Sequence, residues 1–144
     1  MNVVQQLLTL YTLLTSVSEL TDSTGMSVSG TLPDPTAQDG PLPGAWLVYG
    51  GRNPIDKPKN GVVAQGTMCQ NLFVVMIYLD YSLGQDNLIN VQLPILEKVV
   101  HAIAGQEITG LGGGFRFSFE GERLASINPK RLSYEMRFSI VSSI

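Results

Sequence analysis

The chain has little of most things that chemistry needs. Among its 144 residues there is one cysteine, Cys69, and one histidine, His101. A single cysteine forms no internal disulfide, and with one histidine it leaves no cluster of soft ligands for a metal. Charged residues make up only 15% of the chain, with a formal net charge of −3. The nine basic residues are scattered, with small groups at Arg52–Lys59 and Lys130–Arg131, which is not the clustered basic face of a nucleic-acid binder. No run approaches the ~18 apolar residues of a membrane span. The apolar N-terminal stretch has no basic leader and carries polar residues at helical spacing, so a signal peptide is not expected. So few charges together with 44% hydrophobic residues point to apolar surface that other chains cover.

What is present is organised around Asn71–Asp86, NLFVVMIYLDYSLGQD. Leu72 to Leu79 is an unbroken apolar run rich in β-branched and aromatic residues, which predicts a strand. Its period of two gives one face of Leu72, Val74, Met76 and Tyr78 and another of Phe73, Val75, Ile77 and Leu79. A strand apolar on both faces is covered on both, so this one is expected at the centre of the sheet.

Residues 2–20 predict an amphipathic helix, with Val3, Leu7, Leu10, Leu14 and Val17 as its apolar stripe. Val4, Leu8, Tyr11 and Leu13 widen the stripe, and Gln5, Gln6, Thr9, Thr12 and Thr15 form an uncharged polar face suited to a subunit contact. Residues 21–44 are irregular, because TLPDPTAQDGPLPG holds four prolines and two glycines, with Met26–Leu32 suited to a short edge strand. Ala45–Tyr49 predicts a strand, 50–60 a protruding loop (GGRNPIDKPKN), and Val62–Thr67 a further strand before the central one. Asp86 is placed to cap a helix carrying Leu88, Val91, Ile95, Val99 and Ile103, in which Pro94 either kinks the helix or restarts it. Gly105 suits the residue just past its end. Phe115–Glu120 alternates, with three phenylalanines on one face. Gly121–Leu132 reads as a polar connection, and Ser133–Ile144 as a last strand with Tyr134, Met136, Phe138 and Ile140 inward. Arg116 and Glu120 are expected to pair across the sheet with Glu135 and Arg137. The sum is a single α+β domain over 1–144: a mainly antiparallel sheet of four to five strands with two helices, in the order α-β-β-β-α-β-β.

No convergent acid, base and nucleophile appears, so no catalytic residue, metal or cofactor is assigned. His101 reads as a helix-surface residue and Cys69 as a small strand-end residue. Asp80 and Asp86 are too few for a calcium site and suit turns and caps. Gly110–Gly114 (GLGGG) leads into a strand and lacks a following Lys-Ser/Thr, which excludes a phosphate loop. The aromatic pairs Trp46/Tyr49 and Tyr78/Tyr81 read as core.

The element order resembles the tail-terminator (tail-completion) proteins of long-tailed bacteriophages. It is carried by LPGAWLVYGG before a long loop, NLFVVMIYLDYS before a proline-bearing helix, and the closing strand RLSYEMRFSI. The resemblance implies a non-enzymatic virion protein that forms a hexameric ring at the head-proximal end of the tail tube. It implies contacts with the tail-tube protein and with neck or head-connector proteins, and a lumen that passes DNA without binding it specifically. Expected interface residues lie in the loops at 50–60 and 121–132: Arg52, Asn53, Asp56, Lys57, Lys59, Arg123, Lys130 and Arg131. A neck or stopper protein is the neighbouring expectation. A small-ligand-binding domain with a pocket at His101 or Asp80 is the alternative of another class.

Overall fold

The computed structural model describes residues 3–21, 24–27, 42–55, 68–108, 115–127 and 130–143. They form an α+β domain. Helix α1 (Val3–Thr15) is followed by strands β1 (Thr24–Ser27), β2 (Gly44–Pro54) and β3 (Met68–Asp80). A helical segment comes next, made of α2 (Gln85–Asn87), a π turn (Leu88–Gln92) and α3 (Pro94–Ile103), then β4 (Ser118–Ile127) and β5 (Arg131–Ser143). The five strands lie in the order β1-β2-β3-β5-β4. Among the described residues only the β1–β2 pair is parallel.

The greasy run is the middle strand, as its pattern requires. On one face of β3, Phe73, Val75, Ile77 and Leu79 are fully buried in the main core. Leu7, Leu10, Leu14 and Val17 from the first helical region, and Ile95, Val99 and Ile103 from α3, pack in the same core. Met136, Phe138 and Ile140 of β5 extend it. Each such side chain contributes roughly 1.5–3 kcal/mol by leaving water. Phe73 meets Tyr49 at 5.5 Å and Phe117 edge-on at 6.3 Å, and Phe119 lies 5.5 Å from Phe138. Of the three phenylalanines of 115–119, Phe117 is buried in the core and Phe115 packs half-buried against it, while Phe119 touches Phe138 but stays exposed. The opposite face of β3 carries Val74, Met76 and Tyr78 as a second small cluster, with Leu42 and Trp46 packed against it.

Several expectations are corrected. Gly50–Pro54 is not a loop but the second half of β2, paired with Cys69–Leu72. The strand passes the glycine pair through a bulge, with Gly51 at φ +106°, a conformation that glycine adopts without steric cost. Gly121–Ile127 is likewise strand, the body of β4, and not a connection. Its charged, exposed sequence reflects an edge position, and Gly121 at φ +127° takes up the bulge there. The expected ion pairs also shift. Past this bulge Arg123, not Arg116, falls opposite Glu135, while Arg116 pairs with Glu107 before the strand begins. Val4 and Leu8 do not widen the core stripe but are exposed, and Gln6 is buried.

The second helix resolves its proline by an insertion. The Leu93 N–H donates to the Leu88 carbonyl five residues back, at 2.8 Å. This π turn lets Pro94, which has no N–H, open α3 at its first turn. Asp86 lies in the first turn of α2 without capping it; the capping carboxylate is Asp80, which caps the preceding 3-10 turn Tyr81–Leu83 and accepts from the Ser82 N–H at 2.9 Å and the Ser82 hydroxyl at 2.6 Å. Gly105 ends α3 at φ +78°, as expected. The strand expected at Val62–Thr67 and the GLGGG stretch lie outside the described residues, as does most of 21–44.

Candidate assembly surfaces

Three buried amide side chains position the helical layer. Asn71, on the core face of β3, donates through Nδ2 to Gln6 Oε1 at 2.7 Å and to Ser142 Oγ at 3.1 Å. Gln6 Nε2 donates to the same hydroxyl at 3.2 Å. All three residues are buried, so the triad pins the start of α1 to the β3–β5 pair, because a displaced helix would leave buried amides without partners. At the far end of β3, buried Gln92 acts similarly. Its Oε1 accepts from the Asp80 N–H and its Nε2 donates to Asn87 Oδ1, both at 3.1 Å. A Lys98–Glu19 ion pair ties α3 to the segment after α1, and the Lys98 hydrogen bond holds the Glu19 carboxyl below its usual range.

The face of the sheet away from the helices is divided. Val74, Met76 and Tyr78 form its apolar centre. Beside them Glu135 is held by Arg123 at 2.7 Å and Arg137 at 3.0 Å. Burial pushes the Glu135 carboxyl up, but hydrogen bonds from Arg123 and then Arg137, with their charges, outweigh it and hold the group below the usual range. Glu120 accepts from Ser139 and Gln70 on the same side. Between the apolar centre and these charges lies a shallow pocket of about 360 Å³, lined in part by Val48, Leu72, Val74, Arg123 and Arg137. It offers an apolar floor with a charged rim that includes Glu135, the anatomy of a docking surface.

The residues expected at an interface do not form one patch. Arg52 and Asn53 stand exposed at the end of β2, opposite Asn71 and Gln70. Arg52 Nε donates to the Tyr49 hydroxyl. Arg123 is exposed in the middle of β4. Lys130 and Arg131 are at the other end of the sheet, where Arg131 pairs with Asp80 in register. Arg131 is only 7% exposed and lies over the Tyr78 ring at 5.6 Å, so the chain itself already covers it. Asp56, Lys57 and Lys59 lie outside the described residues. His101 is exposed on the last turn of α3, and Cys69 is buried. Among the described residues no three His, Cys, Asp or Glu side chains gather to hold a metal, and no helix is long and apolar enough to cross a membrane. Of the aromatic pairs, Tyr78 is core, Trp46 and Tyr49 are half-buried, and Tyr81 is exposed. The features missed from sequence are Gln6, Asn71 and Gln92. A glutamine on the stripe side of an amphipathic helix was the available signal.

Among solved structures, the chain is similar to one from the virion of a native gene transfer agent particle. The alignment covers 94% of this chain and 92% of that one, at a TM-score of 0.56 and 14% sequence identity. The two chains share a fold. No protein-family model matches the sequence, and no curated protein matches it.

Proposed function

We propose that the chain is a structural subunit of a phage-like virion, and that it works as a tail terminator: a ring that closes the head-proximal end of the tail tube. The observation that carries this is the fold shared along nearly the whole chain with a component of a gene transfer agent virion. The α+β order that resembles tail terminators supports the finer assignment, and so does a site region built for contact. Mechanically, such a ring matches the tube's subunit contacts on one side and offers no equivalent contact on the other, which ends polymerisation. The opposite side receives the head connector. With a net charge of −3, the ring would let DNA pass through its lumen without holding it.

Electron microscopy of particles assembled without this protein tests the proposal. Overlong tails that fail to join heads are expected. Tails of normal length that remain unjoined would move the protein to the neck, and particles with normal joined tails would refute a role in tail assembly.

A further inference from the structure

Two exposed apolar patches stand at opposite ends of the sheet. One is on the outer face of α1, where Val4 and Leu8 continue into Thr12 at a spacing of four. The other surrounds the turn after β3, where Tyr81, Leu83, Ile89 and Val91 are exposed. All six apolar side chains are between 46% and 58% exposed. The Asn71–Gln6 hydrogen bond places the first patch at the Asn71 end of β3, and Tyr81 directly follows its Asp80 end. At the ~3.3 Å rise of a strand residue, these ends are roughly 30 Å apart.

We infer that the α1 face of one copy docks on the Tyr81–Val91 patch of the next copy, a head-to-tail contact that builds the ring. The inference rests on the assembly proposed above and names the surfaces that make it. Three observations select a second copy as the occupant. First, α1 contains no charged residue, so covering it desolvates no ion. Its exposed hydroxyls are already bonded within the helix: Thr12 Oγ1 donates to the Leu8 carbonyl at 3.0 Å and Thr9 Oγ1 to the Gln5 carbonyl at 2.8 Å. Burying this face therefore orphans few polar groups. Second, the charges are complementary. Asp86 is exposed in the second patch and Arg52 at the α1 end of the sheet, and neither has an ion-pair partner among the described residues. Third, two unlike patches on one molecule make a heterologous contact, which closes into a ring when the rotation permits. A 13-residue helix is ~20 Å long and ~10 Å wide, less than the ~800 Å² a side of a stable pair. One contact is therefore weak alone, and ring closure, where releasing a subunit breaks two contacts, holds it.

Light scattering on the full chain and on Leu8→Glu and Val91→Glu tests this, with circular dichroism confirming that both exposed-site variants stay folded. Wild type is expected as a closed oligomer and each variant alone as monomer. An equimolar mixture of the two variants at high concentration is expected to form one-to-one pairs, because each brings the intact patch that the other lacks. If wild type assembles and both variants assemble equally well, the interface is wrong while the ring stands. If wild type is monomeric at high concentration, the ring falls with it. If the mixture shows no pairs although each variant is monomeric, the head-to-tail pairing is wrong.

Discussion

Replacing Asn71 by leucine probes how α1 is seated. The substitution keeps the branched shape and the number of side-chain heavy atoms but removes the Nδ2 donor that serves Gln6 Oε1 at 2.7 Å and Ser142 Oγ at 3.1 Å. A buried acceptor left without its donor costs about 1–3 kcal/mol. Some of that is offset, since Asn71 Oδ1 itself has no partner in its buried position and leucine removes that orphan. The expected net loss for Asn71→Leu is about 1–2 kcal/mol. Gln6→Leu is expected to lose a similar amount by removing the shorter of the Asn71 amide's two acceptors and a buried donor to Ser142. The double variant replaces both partners with apolar groups, which is close to neutral in favourable cases, so the cycle should show a coupling of about 1 kcal/mol or more. Urea unfolding followed by circular dichroism measures it. In a thermal melt each kcal/mol corresponds to roughly 3 °C in a domain of this size. Additivity within ~0.5 kcal/mol would show that the amide pair does not seat the helix.

Three further outcomes follow from the packing and the charges. Phe73→Ala removes a fully buried ring that touches Tyr49 and Phe117 and should cost about 3–5 kcal/mol in chemical denaturation. Gly105→Ala meets open space, so its cost of about 1 kcal/mol is all backbone, from a φ of +78°; the same method reads it. Because the folded Glu135 carboxyl sits below its ordinary value, its stabilisation is complete above the unfolded value of about 4.3 and is lost as pH falls through the lower folded value. Melts across that acid range should show a steeper decline for wild type than for Glu135→Gln.

The elements most legible in the sequence were those where one physical demand dominated. The run from Leu72 to Leu79 could satisfy its two apolar faces only in mid-sheet, and that is where β3 lies. Gly105 was legible because a helix end needs a residue that tolerates positive φ. The strand β4 was not, because an edge strand keeps its charges in water. Gly121, Glu122 and Arg123 read as loop, although Ser118–Glu120 did read as strand, and the bulge that glycine permits is invisible to a period of two. The three buried amides, Gln6, Asn71 and Gln92, were lost for the opposite reason. Polarity argues for exposure, and only long-range partners such as Ser142 make burial tolerable. At the candidate assembly surfaces, apolar residues on α1 were legible as a group, but which of them face solvent depends on how the helix is rotated on the sheet. The buried glutamine sets that rotation, and so turns Val4 and Leu8 outward. The basic residues gave little, since Arg52 and Arg131 are far apart along β3 and Arg131 is covered.

The central claim is that this chain ends a tail tube as a ring. Imaging purified particles that carry a gold-labelled tag on this protein tests it most directly. The account predicts label confined to a single band where tail meets head; label spread along the tube, on the shell, or absent from the particle would contradict it.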